Sequence, residues 1–253
     1  MTDNQSKIAI LVPSRERMNN RLTLITSIIT TVKDINNITL YLGVDEDDIT
    51  LPLAEKISEA IPFVKIIKIQ NKGKFIGLGK MWNILAEAAT EDIISMIGDD
   101  MVFKTKNWDE EIIKEFIDCP DDKIKAVHCN DDYHRNKLAV NIFCHRRYHE
   151  IMNGFMREEF KINWIDQWIH QLFSAFNRLK YRDDIMIEHR HWVLGKTKRD
   201  NTVDRMQQAD VNKVSDKLWY SLTSERVSDV NKLAKYLKQT PDWSKVDTIE
   251  IKL

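Results

Sequence analysis

Residues 92–105 read DIISMIGDDMVFKT, and the fold of the chain turns on how they are taken. An apolar run, Ile93 to Ile97, stops at Gly98 and gives way to two adjacent carboxylates, Asp99 and Asp100. Taken as a buried strand that ends in acids, the run needs neighbours, and the preceding sequence supplies them. Residues 7–13 (KIAILVP), 38–48 (ITLYLGVDEDD) and 64–70 (VKIIKIQ) are apolar runs of strand length. The first two are continuous rather than alternating, as expected of parallel strands covered on both faces. Between the runs, residues 20–35, 51–61 and 81–90 place apolar side chains at helical spacing. Strands alternating with helices predict an α/β domain with a mostly parallel sheet.

Past residue 100 the rhythm changes. Spacing predicts a helix over 107–119, a strand over 124–131 and a strand running into a helix over 139–155. An amphipathic helix over 163–179, a strand over 182–192 and two helices over 202–239 follow. At 253 residues, 29.8 kDa and 43% hydrophobic, the chain suits one large domain or one domain with an appendage. The formal charge of −1 gives no general reason to expect a nucleic-acid or membrane protein. It is unevenly spread, however. Residues 133–199 hold 13 Lys and Arg against seven Asp and Glu, and residues 1–132 hold 16 against 23. Cys119, Cys129 and Cys144 form no CxxC pair and are odd in number, which fits a reducing compartment. The polar start MTDNQSK has no signal-peptide core, and no apolar run approaches 18 residues. A soluble, cytoplasmic protein with no membrane partner is therefore expected.

In an open parallel sheet, ligands bind outside the carboxyl ends of the strands. Three of the first four predicted strands deliver polar groups there: Ser14, Arg15 and Arg17 after the first, Asp45 on the second, Asp99 and Asp100 after the fourth. Adjacent carboxylates buried without compensation are costly. A hard divalent cation, Mg2+ or Mn2+, relieves that cost and often bridges to a diphosphate. The competing reading is a solvated turn, since the doublets at 47–48, 121–122, 131–132 and 183–184 carry the same composition. Cys144, His145 and His149 lack the second pair that a zinc site would need.

AILVPSRER (9–17), LGVDEDD (42–48), GKMWNILAEAA (79–89) and SMIGDDMVF (95–103) come in the order seen in nucleotide-sugar-dependent glycosyltransferases of the GT-A fold. The chain resembles most the family 2-like group, which includes phage-encoded members. The resemblance implies a Rossmann-like, mostly parallel central sheet flanked by helices. Residues 1–105 would be the nucleotide-sugar half, 106–200 the acceptor half and 201–253 a helical C-terminal extension. Gly98-Asp99-Asp100 stands where the family has its DxD motif, so Asp100 is expected to bind Mn2+ or Mg2+ and Asp99 to contact the sugar nucleotide. The full D-x-D is missing, which leaves open which aspartate meets the metal. Pro13, Ser14, Arg15 and Arg17 would line the nucleotide pocket, Asp45 would bond the base, and Asn83 would lie near the ribose or diphosphate. NGFMREEFKINWIDQWIHQLF (153–173) resembles the acceptor-side segment, with Asp166 at the position of the family's acid. IEHRHWVLGKTKRD (187–200) resembles the closing strand that gives the metal a histidine. His189 and His191, two apart on a strand, would face one side, and Lys196 would add positive charge near the diphosphate.

The implied reaction is transfer of a hexosyl or pentosyl group from a nucleoside-diphosphate sugar, a UDP-sugar being the expected donor, to an acceptor hydroxyl. Asp166 would be the general base, which makes inversion the expected outcome, and Trp164 and Trp168 beside it would raise its pKa. The basic segment 133–199 would suit a polyanionic acceptor. A hydroxymethylated DNA base is one such acceptor; cell-wall or lipopolysaccharide sugars and proteins are others. A sugar-phosphate nucleotidylyltransferase would want glycines where this chain has VPSRERMNN. A non-enzymatic nucleic-acid-binding module would leave the strand-end acids unexplained.

Overall fold

The computed structural model describes residues 6–210 and 213–248. The polar start at 1–5, residues 211–212 of the predicted tail helices and residues 249–253 of the extension lie outside the described residues. The first half alternates as expected: β1 (Ile8–Ser14), α1 (Met18–Thr31), β2 (Ile38–Asp45), α2 (Leu51–Ala60), β3 (Val64–Ile69), α3 (Leu78–Ala88) and β4 (Ile93–Met96). The second half adds β5 (Met101–Phe103), α4 (Trp108–Ile117), β6 (Ala126–Asn130), β7 (Ile142–His145), α5 (Arg147–Met152), α6 (Ile165–Ser174) and β8 (Leu179–His189). The tail forms α7 (Asn201–Ala209), α8 (Val214–Ser221) and α9 (Thr223–Leu237).

Among the described residues the strands make one eight-stranded sheet in the order β3-β2-β1-β4-β7-β6-β8-β5. The β3-β2-β1-β4 half is parallel, in register from Ile8 opposite Ile38 and Ile93. β7 runs antiparallel to both β4 and β6, and β5 runs antiparallel to β8. The two-residue period of β1 divides the core. Ile8, Ile10 and Val12 pack with Leu24, Ile28 and Ile112 on one face, while Ala9 and Leu11 pack with Leu85, Trp168 and Leu172 on the other. Every residue of β1 and β4 is buried, which explains their unbroken apolar sequence.

Three departures bear on the site. The helix expected over 163–179 is only Ile165–Ser174. Asn177 turns into the left-handed region (φ 54°), Arg178 N closes back on Phe173 O at 2.9 Å, and β8 starts at Leu179 rather than 182. Met101–Phe103 pairs with β8 as a strand that periodicity did not predict, being only three residues long. The tail holds three helices rather than two among the described residues, and it is no appendage. Trp219, Val230, Leu233 and Val246 belong to the same apolar cluster as Leu11 and Leu172.

Candidate active site

One wall of the site is built on two glycines. Gly77 has φ +96°, a conformation that L side chains rarely adopt. A Cβ on Gly79 would lie 2.2 Å from Arg157 O, so the start of α3 can touch the 157–161 backbone only with glycine there. Leu78 N then donates to Lys161 O at 2.8 Å. Asn83, one turn on, accepts from Phe155 N and Met156 N (2.8 and 2.7 Å) and donates to Met156 O. The segment so pinned reaches Trp164, whose φ of 73° turns the chain into α6 and puts Asp166 in its first turn. Trp164 is held in turn by stacking on Trp219, with ring centroids 4.6 Å apart, and by donating to Asp216 at 2.8 Å.

Asp166 opens into a cavity of about 550 Å³ at the carboxyl ends of β1, β2 and β4. Ser14, Asp45, Asp99, Asp100 and His189 line the same cavity. Pro13, Arg15, Arg17 and His191 line it too. Two expected residues lie elsewhere. Asn83 is committed to the 155–156 backbone and faces a separate cleft. Lys196 donates to Asp132 and Glu188 (2.8 and 3.0 Å), away from the cavity lining. Trp168 also turns from Asp166, into the core against Trp219 and Phe160.

The aspartate pair is asymmetric. Asp99, 5% exposed, accepts from Ser14 Oγ at 2.7 Å and Arg17 Nη1 at 2.9 Å. Burial, with the charge of Asp100 adding, pushes its carboxyl above the ordinary range against the pull of Arg17. Asp100 reaches the other way, its Oδ1 3.4 Å from His189 Nε2. Burial alone would raise its pKa, but the His189 hydrogen bond and nearby positive charge hold it low. The same contact lifts His189 although burial opposes the charged imidazolium. His191 does not join them as expected. It lies two residues past the end of β8 and accepts from Val193 N at 3.2 Å, leaving its ring 5.1 Å from that of His189.

Among the described residues no three acidic, histidine or cysteine side chains converge as a preformed metal cage. Asp100 and His189 supply one carboxylate oxygen and one imidazole nitrogen. Such a pair fits a divalent ion of the Mg2+ or Mn2+ kind that takes its other ligands from water and phosphate. Asp166 is the remaining acid of interest. Burial raises its carboxyl pKa, only partly offset by the Gln167 N–H that it accepts at 2.9 Å.

Several contributors were not legible beforehand. Arg21, fully buried, donates to Ser14 Oγ (2.9 Å), Ser14 O (3.0 Å) and Asp48 (2.6 Å), so it supports the hydroxyl that bonds Asp99. The α7 segment crosses the cavity at the ends of β1 and β2. Asp200 grips Arg17 at 2.8 and 3.0 Å, Thr202 Oγ1 donates to Arg15 O, and Arg205 donates to Asp45 at 2.6 Å while lying 5.5 Å over the Phe75 ring. Arg15 bonds Asp45 as well, and pairs with Asp47. The resemblance had implied that 201–253 is a C-terminal extension, and nothing in the sequence marked these contacts.

The sheet order, the crossing connections and a cavity walled by strand-end acids define the GT-A fold, and solved glycosyltransferases of that fold share it. S. aureus TarS in complex with UDP superposes with a TM-score of 0.57 at 14% identity, over 72% of this chain and 59% of that one. The mannosyltransferase PcManGT from Pyrobaculum calidifontis, in complex with GDP-Man and Mn2+, gives 0.56 at 10% identity, over 93% and 75%. GalNAc-T7 with UDP, GalNAc and Mn2+ gives 0.57 at 11%, over 74% of this chain and 44% of that one. The chain thus spans less than two thirds of the length of TarS and GalNAc-T7. No protein-family model and no curated protein sequence matches it.

Proposed function

We propose that this chain is a metal-dependent glycosyltransferase that moves a sugar from a nucleoside-diphosphate sugar to an acceptor hydroxyl. The observation that carries the reading is the Asp100–His189 pair, 3.4 Å apart, lining one cavity with Asp166. The UDP, GDP-Man and Mn2+ found with proteins of the same fold support it. Asp100 and His189 would hold the ion, whose positive charge stabilises a leaving diphosphate. Asp99, tied to Ser14 and Arg17, keeps the strand end rigid beside them. Asp45, whose Oδ2 accepts from Arg15 and Arg205, would accept an N–H of the base. Asp166, its pKa raised by burial, takes the proton of the attacking hydroxyl, and transfer proceeds with inversion.

The acceptor is less well served by its expected electrostatics. Arg157, Arg178, Arg182 and Lys196 of the basic segment are all engaged with carboxylates, several of them from the acidic first half. That internal pairing favours an acceptor without a polyanionic backbone over a modified DNA base. The deciding experiment is a thermal-shift screen of nucleotide sugars with Mn2+ and with EDTA. One donor should raise the melting temperature only when metal is present, since binding stabilises the folded state. No shift from any UDP- or GDP-sugar with Mn2+ would overturn the reading.

A further inference from the structure

A second cleft, of about 430 Å³, is walled by residues 152–159, α6 and α9. Its size falls within the roughly 300–1,000 Å³ of small-molecule sites. Asp100, His189 and Asp166 line only the first cavity, and Ile165 lines both spaces. The polar groups of the cleft are half used. Asp229 of α9 accepts on Oδ2 from Arg157 Nε at 2.9 Å and from Trp168 Nε1 at 3.1 Å, with Arg157 Nη2 a further 2.9 Å contact. Its Oδ1 has no partner among the described residues. Tyr148 lines the cleft at 3% exposure, its ring packed on Phe173 with centroids 4.8 Å apart. Its hydroxyl makes no hydrogen bond among the described residues either, which is uncommon for a buried phenol. Burial and the Asp229 charge keep that phenol protonated, so it stays a donor as well as an acceptor.

The charges restrict what fits. Glu158 and Glu159 also line the cleft, so a phosphate or carboxylate would be repelled. An amine would compete with Arg157, which already matches the charge of Asp229. A neutral ligand remains, one that donates to Asp229 Oδ1, exchanges a hydrogen bond with Tyr148 and lays C–H groups on Phe155, Met156 and Ile169. A sugar ring meets all three conditions. We infer that this cleft is a carbohydrate site in its own right, in which one hydroxyl of a neutral sugar bonds Asp229 Oδ1 and another pairs with Tyr148 Oη. Neither the Asp100–His189 pair nor Asp166 takes part in it.

Trp168 is a built-in reporter, because its indole N–H bonds the same carboxylate. The full chain would be titrated to millimolar concentration with glucose, galactose, mannose, N-acetylglucosamine and xylose in 1H–15N NMR. At least one sugar should move the Trp168 indole resonance. The Trp164 indole, which lines the first cavity, tells the two sites apart. Tyr148→Phe keeps the buried ring and removes only the hydroxyl. It should weaken the Trp168 response about 2- to 10-fold in affinity, the scale of one hydrogen bond, with the melting temperature little changed. A Trp168 resonance that no sugar moves would overturn the inference, whether or not the variant folds. So would a shift at Trp164 alone, an affinity untouched by Tyr148→Phe, or a Trp168 response to spermidine and to none of the sugars.

Discussion

Asp166 lies in the first turn of a helix, where an acid is favoured by the helix dipole alone. Its placement in the cavity with a raised pKa is what a purely helix-stabilising acid would not need. Asp166→Asn should therefore lower the transfer rate by at least about 10²-fold, the scale of general-base catalysis, while leaving the donor's Kd unchanged by calorimetry. A second residue-scale test concerns Asp48, which with Arg21 forms an ion pair whose side chains are both fully buried. Burial would raise the Asp48 carboxyl, but hydrogen bonds from Glu16 N, Thr50 and Arg21 bring it below the ordinary value. A depressed folded pKa means that its stabilisation is complete above the unfolded value of about 3.9 and fades as pH falls through the folded one. Asp48→Asn should cost about 3–5 kcal/mol at pH 7, because it strands a buried charge. Denaturant titration at pH 7 and at pH 3 should show the gap from wild type narrowing in acid. Asp99 and Asp100 were readable because an acid pair directly after an apolar run is anomalous. Arg21 was not, since a buried arginine on an amphipathic helix looks in sequence like a solvated one.

At the scale of elements, α7 is the piece whose role spacing could not reveal. Its own sequence is a short polar helix capped by Asp200, with Val203 as its buried apolar contact. What matters is that Arg205 shares with Arg15 the Oδ2 of Asp45, the acid proposed for the base. A nucleotide that takes this oxygen must displace that contact. Arg205→Ala should therefore tighten UDP binding by up to about fivefold, the ~1 kcal/mol limit of a part-exposed ion pair, measured by calorimetry. Weaker binding would show instead that Arg205 is itself a ligand of the donor. The parallel strands were legible because double-sided burial writes continuous apolar runs. The end of α6 was not, because apolar residues recur at helical spacing straight through the turn at Asn177 and into β8.

Across the whole molecule, charge that looks segregated along the sequence is partly reunited in space. Arg182 of β8 meets Glu111 and Glu115 of α4, and Arg178 meets Asp122. Transfer should accordingly vary less than about twofold in initial rate between 50 and 200 mM salt. A polyanionic acceptor bound through many phosphate contacts would lose about 10³–10⁵ in affinity over that range. The halves of the chain were visible in composition, but not their pairing, which is a property of the folded sheet alone.

The stacked indoles of Trp164, which lines the cavity, and Trp219 behind it carry an optical consequence. Trp164 faces the space where an acceptor would sit and leans on Trp219, which is wired through Arg226 into the α9 helix. Any molecule settling beside Asp166 changes the polarity around Trp164, which lines the cavity together with Trp82. Emission lost on Trp164→Phe should be the part that responds to acceptor, which would let unlabelled compounds be ranked before any product is detected.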